Sequence, residues 1–503
     1  MLEKGDFITP ALNYVLYFEK PVLHYWQTAL SFAVFGCNEF AARFFPCLLG
    51  LLGVFFTWLF AKREYDEQTA NLSALVLGTS VLYFAIARIN IIDMGVSFYI
   101  TLSLFAFYFY FKENKKVWAL VFYAAMALAV LSKGLIGVVL PAGVIFWFML
   151  FTRRLDIIKK LLYAPGIILF FALCAPWFYL VCKANPDFFR FFFIQEHFLR
   201  YATKMHDRYE PFWFFIPVIL GGLFPWTAAL FLSYKNIFAR RRDVIFLSCW
   251  FFVMLLFFSA SSSKLIPYII PLLPPLAVIT ARNLLDAVKE NSRAKMLALQ
   301  IFFAVFALAL IAAAAIVLGR RVYIKNMEDV LLYKTAIINI TLLSAGFAAL
   351  FCFIVKNNGR RVALLCLYAL LFAAFAKPGF VTISKERSTR AVAQAMLKYL
   401  QPQDIVVNYD YYYQDMPFYL KRRVVITGWR GELEYGITQA APRERARWFI
   451  ARPDVPALLT RPLEDGQKMY FVVRQRHHNH YPLKEQTKLI EKTGEYYIYV
   501  REQ

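Results

Sequence analysis

A mainly α, polytopic transmembrane helical bundle of about a dozen spans, followed by a small C-terminal α+β soluble domain, is the fold class this sequence predicts. Composition is the first reason: of 503 residues, 60% are hydrophobic, 18% are aromatic and only 18% are charged, against roughly 25% charged in a soluble globular chain. A soluble fold has too little interior to hide so much apolar surface, to which 52 Phe side chains contribute. Spacing is the second reason, because the apolar residues recur in runs near the ~20 that cross a bilayer core of roughly 30 Å. The third is a change of composition after about residue 380, where such runs end.

The runs place spans near 44–61, 70–87, 94–111, 117–131, 134–151, 161–182, 212–232, 244–260, 265–281, 296–318, 333–355 and 362–377. The fourth is short, and Ser132-Lys133 is all that separates it from the fifth. Loops of one parity, from Lys62-Arg63 to Arg360-Arg361, hold twenty Lys and Arg, whereas the short loops of the other parity hold six. Short loops rich in Lys and Arg stay in the cytoplasm. Residues 1–43 are therefore expected as outer-face juxtamembrane helices, 44–380 as the transmembrane domain with an outer loop at 183–211, and 381–503 as an extracytoplasmic, periplasmic domain. The expected location is the cell inner (plasma) membrane. Residues 1–43 carry no signal peptide that could export them, so a preceding span on a longer product is expected, giving thirteen helices and a cytoplasmic N-terminus.

The net charge of +23 would suit nucleic acid if it formed a stripe on a polar domain. It lies instead in short clusters between apolar runs, so membrane lipids are the expected partners and nucleic acid is not. Six of the seven Cys lie inside apolar runs, Cys37 being the exception. No disulfide framework is expected from them. In the tail, a helix is expected from Ser388, as N-cap, to Leu400, with strands at Ile405–Asn408, Val424–Thr427, Met469–Arg474 and Tyr496–Arg501.

Ionisable residues beside a membrane are costly unless they serve something, so chemistry is sought where they gather. Tyr17-Phe18-Glu19-Lys20-Pro21 precedes an apolar stretch, Val22 to Gly36, too short to span and suited to lie in the interface. With Pro21 at its first helical position, Lys20 would stand beside unpaired backbone N–H groups, a ready anion site. Glu19 and Lys20 read equally as the solvated edge of an amphipathic helix. Asp93 could cap the span that it begins or serve as an acid of a site. In the outer loop Glu196, His197, Arg200, His206 and Arg208 cluster, and His197 and His206 with Glu19 are candidate ligands of a divalent metal, Zn or Mg. Their spacing fits a hydrogen-bonding role as well. His477, His478 and His480 read as a polar loop. Lys264 precedes Pro267, Pro271, Pro274 and Pro275, whose rings free backbone carbonyls and should kink the span. A kinked wall topped by a cation suits a polyprenyl chain and its phosphate; proline kinks also occur in transporters.

The stretch Met1 to Pro10, then Tyr17 to Pro21 with Tyr25-Trp26, Glu196-His197-Phe198 with Arg200, Pro211-Phe212-Trp213 and Pro225-Trp226, resembles the aminoarabinose transferases and the protein O-mannosyltransferase relatives of the GT-C superfamily. Lys133-Gly134, Lys264 and Gln414 to Tyr419 add to the likeness, which covers essentially the whole chain. The resemblance implies an inverting transfer of a sugar, such as 4-amino-4-deoxy-L-arabinose or mannose, from a polyprenyl (undecaprenyl) phosphate donor. The acceptor would be lipid A or another outer-face lipid or protein. It also implies a donor phosphate held by Lys20, with Arg200, Lys264 and Tyr17 as further candidates. Glu19 and His197 would then shape the site or hold a metal, and Asp93 would be a catalytic acid beside Lys20 and Glu19. The family has an acidic outer-loop residue upstream of the stretch matching Met1 to Pro10, and that residue is expected on the longer product.

A glycosyl phosphate is already activated. The protein then needs chiefly cations on the departing phosphate, a carboxylate near the acceptor, and shelter at the membrane surface. No Gly-rich nucleotide loop is present, in keeping with a lipid-linked donor. The competing classes are a lipid-linked sugar flippase or transporter and a non-catalytic envelope assembly subunit. Transporters place ionisable groups near the midplane of related halves; here the spans are almost free of charge, and the polar residues gather at their ends.

Overall fold

The computed structural model describes residues 1–199, 210–233, 235–319 and 327–502. Its first helices are α1 (Leu23–Phe35), α2 (Glu39–Glu64), α3 (Glu67–Thr79), α4 (Val81–Ile86), α5 (Ile92–Glu113), α6 (Lys116–Lys133), α7 (Ile136–Thr152), α8 (Ile157–Leu161) and α9 (Ala164–Ala184). Helical segments coincide with all twelve expected spans. Among the described residues nine helices are long and apolar enough to cross a membrane: α2, α5, α6, α9, Arg242–Ala260, Ile266–Lys289, Arg293–Leu318, Lys334–Ile354 and Asn358–Val381. A tenth, α7, is 17 residues long. The chain is a multi-pass membrane protein.

The remaining two expected spans are interrupted. Residues 70–87 form α3 and α4, with Ser80 extended between them, and residues 212–232 form Phe215–Gly222 and Thr227–Leu230 on either side of Pro225. The two breaks meet and satisfy each other: the Val81 N–H donates to the Phe224 carbonyl at 3.2 Å, and Trp226 Nε1 donates to Thr79 Oγ1 at 2.9 Å. Irregular backbone survives at membrane depth where neighbouring protein supplies such partners. The proline-rich span behaves as expected, opening as a 3₁₀ turn over Ile266–Leu272 before the helix Leu273–Lys289. Pro275 has no N–H for the Pro271 carbonyl, and Trp250 Nε1 donates to that oxygen instead, at 2.9 Å.

Two compact units make up the chain. One comprises Met1–Thr9, Phe18–Ala312 and Thr341–Ala374; the other comprises Pro10–Tyr17, Ala313–Ile340 and Phe375–Gln503. In the first, α5 is the central helix, buried at every position from Met94 to Phe111 except Leu102. Phe105 stacks on Phe60 with centroids 4.4 Å apart and meets Trp250 edge-on at 5.1 Å. Such ring pairs add roughly 0.5–1.5 kcal/mol each beyond the area they bury. Between α6 and α7 the chain reverses at Gly134, whose φ is +77°. A Cβ on Gly137 would lie 2.6 Å from the Val130 nitrogen, so this glycine permits the close turn that leaves Lys133 at the end of α6.

The second unit holds a six-stranded mixed sheet. Strands β1 (Ala11–Leu12) and β2 (Val15–Leu16) form a separate hairpin, and the sheet is built from β3 (Ile405–Asn408), β4 (Val425–Thr427), β5 (Phe449–Ile450), β6 (Met469–Arg474), β7 (Lys488–Thr493) and β8 (Tyr496–Arg501). Its order is β5-β4-β3-β6-β8-β7, parallel from β5 to β6 and antiparallel from β6 to β7. Val406 and Val472 face one core, while Val407 and Phe471 face the other, as the two-residue period of a strand covered on both faces requires.

The structure departs from the sequence reading at several local points, among them the following. The tail helix runs Arg390–Met396 and is not capped by Ser388, whose hydroxyl, like that of Thr389, is taken by the Asp415 carboxylate at 3.0 and 2.8 Å. Pro21 is not the first residue of α1, because the Trp26 N–H finds its acceptor at Val22 and the helix starts at Leu23. Residues 10–17 form a hairpin belonging to the tail's unit, its turn made by Asn13 and Tyr14 at φ +47° and +68°. The Asn13 side chain pairs with the Val424 backbone in both directions, at 3.0 and 3.3 Å.

Candidate active site

Three polar helix ends of the first unit meet around Asp93. This residue opens α5, but it does not cap it: the N-cap position is Ile91, with no side-chain cap. The carboxylate accepts instead from Lys133 Nζ at 2.5 Å, and both side chains are only about one-seventh exposed, at 13% and 14%. Lys133 ends α6, and its ammonium also lies 4.2 Å from the centroid of the Tyr268 ring on the 3₁₀ turn. The acid is thereby held in place by a cation that an aromatic face shares.

Helix α1 supplies the third side. Gln27 Nε2 donates to Tyr99 Oη on α5 at 2.7 Å, and Ser31 Oγ donates to the Ala41 carbonyl of α2 at 2.7 Å. Those bonds fix α1 so that His24 faces Asp93 and hydrogen-bonds Asn90. Burial pushes the imidazole from its ordinary 6.5 down to about 4, against the upward pull of the Asp93 carboxylate and the Asn90 bond. It is neutral near pH 7. The sign of the pH dependence follows: the unfolded ring takes up a proton below about 6.5 and the folded ring does not, so stability is lost as pH falls from about 6.5 towards 4. We expect the unfolding temperature to drop between pH 7 and pH 5 by more in the native protein than in His24→Gln, measured by thermal unfolding in detergent.

Lys20 stands just before α1, whose N-terminus no side chain caps. Its Nζ donates to the Glu19 carbonyl at 2.8 Å and lies 3.8 Å from the Glu19 carboxylate. Lys264 is 6% exposed, and its ammonium is engaged by the carbonyls of Ser261 at 2.7 Å and Glu210 at 3.0 Å. It secures the loop after Arg242–Ala260, four residues before Tyr268. Tyr17 belongs to the other unit, where its hydroxyl donates to Glu432 Oε2 at 3.0 Å. Arg200 and His206, together with the side chain of His197, lie outside the described residues. Among the described residues no three His, Cys, Asp or Glu side chains gather as a metal site would need. Among the described residues no disulfide joins any of the seven Cys.

Sequence reasoning singled out Lys20, Glu19, Asp93 and Lys264 as site residues, noted Lys133 only in the family likeness, and overlooked His24 and Tyr268. His24 could have been found one helical turn beyond Lys20; nothing local marks Tyr268. The same unit contains an apolar cavity of about 370 Å³ lined by Ile216, Leu230, Phe252, Leu255, Leu276 and Ile279 among others.

Residues 19–180 match the family described as dolichyl-phosphate-mannose-protein mannosyltransferase, and residues 392–451 match the aminoarabinose transferase C-terminal domain. The structure resembles that of ArnT from Cupriavidus metallidurans bound to undecaprenyl phosphate, with a TM-score of 0.85 and 26% identity, over 99% of this chain and 91% of that one. The chain is a GT-C glycosyltransferase resembling the aminoarabinose transferases. A relative from Aeromonas salmonicida, named undecaprenyl phosphate-alpha-4-amino-4-deoxy-L-arabinose arabinosyl transferase, is 27% identical to this transferase over 93% of the present chain and 86% of its own. An uncharacterised protein of Aquifex aeolicus is 35% identical over 60% of each.

Proposed function

We propose that this transferase moves 4-amino-4-deoxy-L-arabinose or a related sugar from undecaprenyl phosphate to lipid A or another acceptor on the outer face of the inner membrane, with the C-terminal domain extracytoplasmic. The observation that carries the reading is Lys20, set before the open N-terminus of α1 in a chain whose fold follows, almost end to end, a protein crystallised with undecaprenyl phosphate. Backbone N–H groups and an ammonium at one helix start suit a phosphate. As the glycosidic C–O bond to that phosphate breaks, its electron pair stays on the phosphate oxygen, where Lys20 neutralises the charge. An acceptor hydroxyl attacks the anomeric carbon from the opposite face and passes its proton to the Asp93 carboxylate. Asp93, kept oriented by Lys133, shapes the acceptor side, and the apolar cavity accommodates isoprene units of the donor.

For a divalent metal, Glu19 is the single expected ligand whose side chain is described, and it stands beside the Lys20 ammonium. The described residues do not by themselves assemble a metal site. The test incubates membranes containing the protein with undecaprenyl phosphate–aminoarabinose and lipid A, with and without a chelator. Aminoarabinose on lipid A is expected; failure to transfer from any polyprenyl phosphate sugar to any lipid or protein acceptor sinks the reading. Loss on chelation, restored by Zn or Mg, would establish a metal.

A further inference from the structure

At the opposite ends of α5 and α6 from Asp93 and Lys133 lies a second cavity, this one polar, of about 340 Å³, lined by Tyr110, Asn114, Lys116, Lys159, Lys160, Leu162, Tyr163 and Ala164. We infer that it binds the headgroup phosphate of an anionic phospholipid.

Three lysines and no carboxylate line it. The neighbouring acids are engaged elsewhere: Asp156 accepts two bonds from Arg154, at 2.6 and 2.7 Å, and Glu113 pairs with Lys115 at 2.9 Å and Arg63 at 3.3 Å. Two of the ammonium groups converge on one ring, Lys116 Nζ at 5.7 Å and Lys160 Nζ at 5.9 Å from the Tyr110 centroid. Lys116 also lies 4.9 Å from the Tyr163 centroid, and Lys160 donates to the Phe111 carbonyl at 3.3 Å. Cations gathered on a shared wall repel one another unless an anion lies between them.

The flanks indicate which source of phosphate the pocket faces. Leu155, Ile158 and Leu162 are 67%, 48% and 69% exposed, and their spacing of three and four residues puts them along one side of the α8 turn. Lysines set among exposed leucine and isoleucine on a short helix between two membrane spans suit the headgroup boundary, with acyl chains against the apolar side. Basic pockets between membrane helices take lipid phosphates in the same way. No residue of the proposed transfer site lines this cavity, so the inference stands whether or not the transfer reading does.

The test uses the full chain in neutral detergent, titrated with phosphatidylglycerol or phosphatidylcholine and read by native mass spectrometry. The native protein is expected to retain one more phosphatidylglycerol than the variant with Lys116→Gln, Lys159→Gln and Lys160→Gln together. The variant's apparent Kd for that lipid should rise about 100-fold, while the corresponding triple Arg variant should bind as the native protein does. Should the Gln variant fail to fold, Lys159→Glu, at an exposed position, must weaken phosphatidylglycerol binding on its own. Equal retention by native and Gln proteins, or equally tight binding of phosphatidylcholine, overturns the inference. Displacement by millimolar inorganic phosphate overturns it too, by showing that the pocket reads free phosphate instead of a lipid headgroup.

Discussion

Lys20→Ala is expected to lower sugar transfer by roughly 100- to 1000-fold, the cost of deleting one preorganised group that stabilises charge developing in a transition state. The physical case is local. Its side chain is 22% exposed, and the ammonium sits before an uncapped helix start, 3.8 Å from the Glu19 carboxylate, so its removal takes a cation away from the place proposed for the departing phosphate. Lys20→Arg should recover part of the rate, because a guanidinium keeps the charge but spreads it over a wider fork. Measured as initial rates with undecaprenyl phosphate–aminoarabinose, the loss should fall mainly on kcat. A Lys20→Ala protein transferring sugar within threefold of the native rate would remove this residue from the site.

The second large effect concerns Asp93 and Lys133. Removing one member of a largely buried ion pair costs about 3–5 kcal/mol, since the other is left uncompensated. Asp93→Ala should therefore lower both the unfolding temperature in detergent and the rate of transfer. Asp93→Ala with Lys133→Met replaces the pair by apolar groups, a change that is often neutral for stability, and the double variant should recover the unfolding temperature. Transfer should stay low if the carboxylate faces the acceptor. Recovery of both stability and transfer would show that the pair serves the fold alone.

The transmembrane architecture was legible because its cause is written locally. Each span needs its own run of apolar residues, and the runs lie within a few residues of the observed helices. The proline-broken span was legible for a similar reason: a missing N–H is a property of the residue itself. The hairpin of residues 10–17 was passed over although Asn13 and Tyr14 sit between short apolar pairs. Its strands are two residues long, and it is held by Asn13 bonds to Val424, more than 400 residues away. Strand β7, Lys488-Leu489-Ile490-Glu491-Lys492-Thr493, was missed because it is a largely exposed edge strand with charges along it, a means of discouraging further pairing that also dilutes the strand pattern.

Sequence by itself thus determined the class of the protein, the places of its spans and the candidacy of Lys20, Glu19 and Asp93, all consequences of composition and near neighbours. Only the tertiary structure decided which partners those residues meet. Asp93 at a helix start has two chemically reasonable partners, its own backbone and a distant cation. It took the packing of α5 against α6 and the glycine turn after Lys133 to bring that cation within 2.5 Å and the Tyr268 ring to its other side. The same packing set Lys116, Lys159 and Lys160 around one cavity, where the sequence shows only two basic clusters more than forty residues apart. Partner choice is a competition between local and long-range bonds, and its outcome depends on distances that periodicity and spacing do not specify.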